Sequence, residues 1–432
     1  AAQSRRNQKQ WQSALALWKQ ACSLAPENDD YRIGYIKTLA DARMDRLALL
    51  EAQKRVTAHP SQINLETLAY VYLRQGKSWD RLLADTRALK SAPENKALLS
   101  ALIDDLNDNR VSTPALRLSQ GIALPPAQRR QLELNAAAEQ VRLADVPGRT
   151  EKERLRLAQA ALNRYDALLA RWQHEPQAAE DIIRARVDRL GALYAHGDYP
   201  QAIAEYRALT SAHHPVPGWA IGWVISAYLQ EQNADAALAL LQKYPDYARN
   251  PQDEEHQLFY AYLDTGQYQA ARHYLAQITR NVPWARYDFG SPTAQPNDQW
   301  LIGQSLTFQY LLATNALPEA GALAHRLAAT APGNQGLQID YAALLQARGL
   351  PRAAEQKLKM AEVLEPSNTE LEQQQAYVAM DLQEWRQMEL LTDDVLARAP
   401  RDRSVQRLDR LRNVHHMSEL RLNAGKGLHS DN

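Results

Sequence analysis

Cysteine is nearly absent. Cys22 is the one thiol in 432 residues, which excludes an internal disulfide framework and a multi-thiolate metal site, and its place on an apolar helical stripe suits a small buried side chain. Such scarcity fits the cytosol and equally a periplasm in which stray thiols mispair. Net charge is absent too. Fifty Lys and Arg balance fifty Asp and Glu, so no field of one sign exists to hold nucleic acid or an anionic membrane. Glycine and proline are scarce, at 17 and 21, and phenylalanine falls to 3. Ala, Leu, Gln and Arg abound instead, a composition that favours helix over sandwich, barrel or disorder. The longest apolar run, 219–229, is far shorter than the roughly 18 residues that a membrane helix needs. No basic-then-apolar leader opens the sequence, and a soluble protein is expected. At this length a single core ordinarily splits, so several domains or a repeat array is expected.

A period is what the sequence has in place of these things. Pro26, Pro60 and Pro93 near the start, and Pro332, Pro366 and Pro400 near the end, recur at the roughly 34-residue pitch of the tetratricopeptide repeat, a pair of antiparallel helices joined by a tight turn. Proline has a physical task there. It lacks an N–H, fixes its own φ and biases the preceding residue out of the helical region, so the second helix of each pair stops before the next pair begins. About twelve positions before these prolines, where the two helices cross, stand Ala14, Ala48, Ala320 and Ala354; Arg81 and Met388 occupy that crossing in the two degenerate units. Gly197, Gly266 and Gly349 fall at turns inside pairs, where a C-cap needs positive φ. Large residues recur on the facing stripe at Trp18, Tyr206, Leu240, Leu275 and Leu358. The expected fold is all-α, a tetratricopeptide superhelix of about eight or nine units with an irregular helical insert.

The expected organisation is a first array over 1–110, an irregular insert over 111–182, a second array over 183–400, and a terminal helix and linker over 401–432. The insert is broken at Pro114, Pro125-Pro126 and Pro147-Gly148, and a long polar helix begins near Thr150, whose Thr-Glu-Lys-Glu order reads as a capping box. Within the second array, residues 279–300 form a long loop with Pro283, Gly290, Pro292 and Pro296, of the length that is usually functional or disordered.

No constellation for catalysis stands out. HExxH, GxSxG and paired cysteines are missing, and Gly333 to Gly336 lacks the lysine and strand of a phosphate loop. No catalytic residue, metal or cofactor is expected. The pairs His213-His214 and His415-His416 read as solvated turn histidines, and Asp253-Glu254-Glu255 reads as a helix first turn favoured by the dipole. The long loop differs in kind. Trp284, Tyr287, Phe289 and Trp300 crowd beside Asp288, Asn297 and Asp298. Aromatic faces suit the CH faces of sugar rings, and carboxylates or carboxamides suit their hydroxyls; the alternative is a loop pinned to the array by buried rings. The first helices of successive pairs line a concave face, which receives Tyr70, Tyr194, Tyr228, Tyr260, Asp264, Tyr377 and Asp381. Tyrosines spaced along a groove would hold an extended polymer by many weak contacts, although others among them simply pack between helices.

The stretches Gly290-Ser-Pro-Thr-Ala-Gln-Pro-Asn-Asp-Gln-Trp300, Ala331-Pro-Gly-Asn-Gln-Gly-Leu-Gln-Ile-Asp-Tyr341 continuing to Leu-Gln-Ala-Arg-Gly349, Leu382-Gln-Glu-Trp385 and Glu419-Leu-Arg421 resemble the periplasmic part of the poly-N-acetylglucosamine exporters of enterobacterial biofilm systems. The likeness runs over nearly the whole chain, is strongest from Gly290 onward and is looser over 111–176. It implies a periplasmic tetratricopeptide domain of an outer-membrane protein, followed by a β-barrel that exports the polymer. It also implies two partners, the partially deacetylated poly-N-acetylglucosamine itself and the periplasmic deacetylase that processes it. By that likeness the chain is expected to be a fragment, with leader, earliest helices and barrel outside it and 425–432 leading toward the barrel.

Partial deacetylation makes amines, cationic at neutral pH, that carboxylates would favour. From residue type, the expected carboxylates are Asp264, Asp288 and Asp298, and the expected stacking rings are Trp284, Tyr287, Trp300, Tyr228 and Tyr260. Two other classes remain in play: a peptide-binding adaptor, which clamps carboxylates with clustered Lys, Arg and Asn, and a helical-repeat enzyme that cleaves glycan, for which no separate domain with a carboxylate pair is visible.

Overall fold

The structure, a computed structural model, describes residues 1–146, 150–248 and 255–424. The expected break at Pro147-Gly148, the acidic pair Asp253-Glu254 and the terminal segment 425–432 lie outside the described residues. Twenty-four α-helices follow one another among the described residues, with a single short pair of strands. They pair in sequence order as antiparallel hairpins, for example Asp29–Asp41 with Asp45–Ala58, Gln62–Gln75 with Ser78–Ser91, and Gln335–Ala347 with Pro351–Glu362. This is the expected all-α tetratricopeptide architecture.

Local sequence explains each boundary. The second helices end two to four residues before the periodic prolines, at Leu24, Ala58, Ser91, Thr330, Glu362 and Arg398. One or two residues beyond each proline, Asn28, Ser61, Asn95, Asn334, Asn368 and Asp402 accept backbone N–H bonds at the start of the next helix, so the proline stops one helix and its neighbour starts the next. Turns within pairs end on a left-handed residue. Gly197, Gly266 and Gly349 take φ of +80°, +71° and +74°, as expected, and Gly76 takes +71°. Arg43, Arg110, Gln232, Asn315 and Gln383 adopt the same conformation without glycine's freedom.

Packing follows the small-into-large pattern. Ala14, Ala48, Ala320 and Ala354 are wholly buried at the crossings. Helical Gly34 and Gly191 make room for indoles: a Cβ on either would fall 2.5 Å from the Trp18 ring and 2.7 Å from the Trp223 ring. Apolar clusters link hairpin to hairpin, one running from Leu15 to Leu98 and another from Ile339 to Val378.

The chain divides into two compact units, Ala1–Val146 with Gln159–Arg189, and Pro147–Ala158 with Leu190–Asn432. Most of the segment 111–182, expected as a separate insert, lies in the first unit. It is more regular than its prolines suggest. Ser112–Leu118 completes a hairpin with Lys96–Asp108, and Pro126–Ala144 and Glu151–Trp172 are long helices. The Thr150 hydroxyl accepts from the Glu153 N–H at 3.3 Å, the expected cap. Arg130 is buried and ties Pro126–Ala144 to the turn ahead of Ala179–His196, donating to Asp181 at 2.5 Å and to the Gln177 carbonyl at 3.1 Å.

Candidate functional site: the inner face of the second unit

In the second unit the first helices of successive hairpins turn side chains toward an open cavity of about 600 Å³. Tyr194, Tyr260, Asp264 and Tyr377, all placed on the concave face by the repeat register, line it together. They come from Ala179–His196, Gln257–Asp264 and Thr369–Asp381, so residues nearly two hundred apart in sequence share one wall. Glu255, Gln257, Arg403 and Arg407 line it too. Gln257 is buried and held in place, its amide donating to the Gly222 carbonyl at 3.0 Å and to Glu255 at 2.8 Å. Tyr247 donates to the Gln257 side-chain oxygen at 2.9 Å.

Both signs of charge line this wall, Glu255 and Asp264 beside Arg403 and Arg407. Burial pushes the Asp264 carboxyl above its ordinary range. Burial, and then the charge of Glu370, push Asp340 up to about 7, and burial followed by Asp402 raises Glu370. The Tyr260 hydroxyl is raised by burial; a Gln309 hydrogen bond opposes this, and the charges of Asp340 and Asp264 add to it. Tyr377 is raised by burial, with Arg407 opposing and Asp402 adding. A carboxylate that has lost part of its hydration gains from a cation that enters beside it, because direct attraction replaces the lost solvation. Tyrosine rings supply flat apolar faces alongside.

Two concave-face residues of the sequence reading are unavailable for stacking. Tyr228 is buried, with the Arg207 guanidinium 5.9 Å from its ring and donating to its hydroxyl at 3.3 Å; it packs between helices. In the first unit, Tyr70 is taken up by its own surroundings, donating to Asp41 at 2.6 Å and accepting from Arg6 at 2.9 Å. Asp381 accepts from Gln346 at 2.6 Å.

The loop 279–300 is a β-hairpin in which Ala285–Tyr287 pairs antiparallel with Ala294–Pro296. Asn297 fastens its base, its amide donating to the Pro283 carbonyl at 2.7 Å and its backbone N–H to the Trp284 carbonyl at 3.1 Å. The rings of this stretch divide between packing and exposure. Trp300 packs into the apolar cluster around Phe308 and Leu323 and pins the hairpin. Trp284, Tyr287 and Phe289 are 72%, 73% and fully exposed. Asp288 lies 3.5 Å from Arg286 in an exposed pair, and Asp298 is an exposed residue in the first turn of Asp298–Ala313. The hairpin residues therefore form a set separate from the cavity lining.

The histidine pairs divide. His213 sits at a turn with φ of +60°, whereas His415 stacks on Trp385 with ring centroids 3.6 Å apart, and His416 lies 3.1 Å from Glu389, so the second pair is engaged rather than simply solvated. Glu255 precedes the helix that starts at Gln257 and accepts from Ser226 and Gln257 instead of capping a first turn. Among the described residues no group of three or more His, Cys, Asp or Glu is arranged to hold a metal ion, and no helix is long and apolar enough to cross a membrane.

No family model matches the chain. Among solved structures, yeast Tom70 aligns over 96% of this chain and 93% of its own at 12% identity and a TM-score of 0.36; a structure of Naa15/Naa10 bound to HypK-THB aligns over 92% and 66% at 14% identity and 0.31. Scores this low bear on neither shape nor function, and the fold stands on the chain's own helix pairing. Curated sequences are another matter. The poly-beta-1,6-N-acetyl-D-glucosamine export proteins of Escherichia coli K12 and of E. coli O157:H7 are each 38% identical to this chain over 433 residues, which is 99% of the chain and 52% of either relative. Over almost all of its length the chain is thus similar to the poly-beta-1,6-N-acetyl-D-glucosamine export proteins, and it spans about half the length of those curated relatives.

Proposed function

We propose that this chain is a non-enzymatic periplasmic scaffold of an outer-membrane exopolysaccharide exporter, which holds partially de-N-acetylated poly-N-acetylglucosamine along the inner face of its second unit and guides it toward a β-barrel for biofilm formation. The observation that carries this is the convergence of Tyr194, Tyr260, Tyr377 and Asp264 on one open cavity, in a chain related by sequence to exporters of that polymer. Each solvated amine–carboxylate contact is worth about 0–1 kcal/mol. Several in a row hold a strand without arresting it, which suits a conveyor.

The same scaffold docks the deacetylase. The exposed Leu50, Trp79 and Leu83 on successive second helices of the first unit support an apolar contact there. A pull-down in which a Trp79→Ala/Leu83→Ala variant retains the deacetylase as well as the parent chain removes that support.

Calorimetric titration of the chain with β-1,6-linked glucosamine oligomers of defined acetylation tests the glycan reading. Partly de-N-acetylated oligomers are expected to bind several-fold more tightly than fully acetylated ones, to weaken with salt, and to weaken further with Asp264→Asn and Tyr260→Ala. No binding at low salt overturns the reading. Arg403 and Arg407 on the same wall favour a second reading, an adaptor that clamps a peptide carboxylate; capture of carboxyl-terminal peptides in place of glycan would favour it.

A further inference from the structure

The second unit returns onto its own beginning. The turn between Trp385–Arg398 and Arg403–His415 meets the turn between Ala179–His196 and Tyr199–Ser211 about two hundred residues earlier. Arg401 pairs with Asp198, donates to the His196 carbonyl at 3.4 Å, and gives its backbone N–H to Glu151 at 2.8 Å. Arg403 pairs with Glu231 and lies over the Tyr199 ring at 5.2 Å. His196 holds the other Asp198 oxygen at 2.6 Å.

The contacts that close this seam are mainly polar. Consecutive hairpins are joined by buried apolar clusters, such as those spanning Phe308 to Leu344 and Ala376 to Leu408. The seam is joined by part-exposed ion pairs and hydrogen bonds. Attraction between exposed charges is weak and screened, with a Debye length that shrinks from about 10 Å at 0.1 M salt to about 3 Å at 1 M. Arg403 also lines the tyrosine cavity, so the seam and the cavity share a wall. A cavity that must take in a long polymer can be filled by threading an end or by opening a side, and the weakly held side is the seam.

We propose that residues 400–403 and 196–198 form a salt-labile latch that closes the second unit on itself, and that a chain-like ligand enters the cavity sideways when the latch opens. The latch stands on the geometry alone; the identity of the entering ligand rests on the glycan reading above.

Distance measurement between spin labels tests the latch without any ligand. Labels on Gln201→Cys and Arg410→Cys, in a Cys22→Ser background, are expected to give one narrow distance population at low salt. A longer population is expected in 1 M NaCl and in the Arg401→Ala/Arg403→Ala variant, and exchanging the charges with Asp198→Arg/Arg401→Asp is expected to restore the single population. One unchanged distribution at both salt concentrations overturns the latch, and because that comparison uses no latch substitution it holds even if a variant misfolds.

Entry is tested by covalent closure. A Cβ built on Gly197 lies 3.4 Å from the Arg401 Cβ, close to the separation that a disulfide spans, so Gly197→Cys/Arg401→Cys can lock the seam. Oxidation is expected to slow association of a long partly de-N-acetylated polymer at least tenfold and to leave a disaccharide's rate unchanged. Equal polymer rates in the oxidised and reduced forms overturn sideways entry. Absence of binding in both forms overturns the glycan reading and the entry step with it, while the spin-label distances still decide the latch.

Discussion

In the third hairpin the crossing that other units give to alanine holds Arg81, and its neighbourhood predicts how the first unit responds to pH. Arg81 lies 2.7 Å from Asp105 on the next helix and 3.6 Å from Asp85 on its own. Asp105 is 1% exposed and Asp85 5%. Burial first, then the hydrogen bond with Asp85 and that residue's charge, push Asp105 up to about 8, with Arg81 opposing. An unfolded chain ionises this group near 3.9. Between those values the native state therefore keeps a proton that the unfolded state has lost, and stability falls as pH rises, by at most about 1.4 kcal/mol per pH unit. Asp105→Asn removes the titration but keeps the shape, since its amide can donate to Asp85 and its oxygen can accept from Arg81. The variant is expected to lose less stability than the parent between pH 5 and pH 8, with the gap between the two widening as pH rises. Urea unfolding with amide exchange read on Ser78–Ser91 and Lys96–Asp108 measures this. Asp188, raised to about 6 mainly by its burial, slopes the same way in both proteins and cancels in the difference. Parallel loss of stability in parent and variant between pH 5 and 8 would refute the reasoning.

Further perturbations separate packing from backbone effects. Ala48→Leu or Ala354→Leu drives a branched side chain into a wholly buried crossing and is expected to cost about 1–3 kcal/mol in thermal unfolding. Gly191→Ala, which meets the Trp223 ring at 2.7 Å, is expected to be similarly costly. Gly349→Ala has open space around its Cβ but φ of +74°, so a loss of only about 1 kcal/mol is expected, from backbone strain. Trp284→Ala and Tyr287→Ala on the exposed hairpin are expected to leave stability within about 0.5 kcal/mol of the parent, so any change in glycan binding by those variants reports contact rather than folding.

The fold was legible because its signals are local and repeated. Proline pitch, alanines at crossings and glycines at turns each reflect a constraint that one residue type satisfies best, and the structure holds Ala14, Ala48, Gly197, Gly266 and Gly349 in those roles. The caps after the prolines, Asn28, Asn95, Asn334 and Asn368, recur at the same pitch and carry a signal that the prolines overshadow. Left-handed turns at Arg43 and Gln383 carry no such mark, because the packed hairpin imposes a strain that their side chains do not announce.

The candidate site was half legible. Tyr260 and Asp264, four residues apart, and Tyr194 and Tyr377 follow from helix register. Arg403 and Arg407 reach the cavity because the last helix returns to the first turns of the unit, a long-range closure that no local pattern encodes. Tyr228 shows the opposite limit. Its position matches Tyr260, yet Arg207 and neighbouring helices enclose it.

The most direct measurement is a crystal structure of this chain with a partly de-N-acetylated β-1,6-glucosamine oligomer. The account predicts sugar rings against Tyr260 or Tyr377, with an amine nitrogen within hydrogen-bonding reach of Asp264. Oligomer bound only on the outer helices or on the exposed hairpin, with the cavity of the second unit empty, would contradict it.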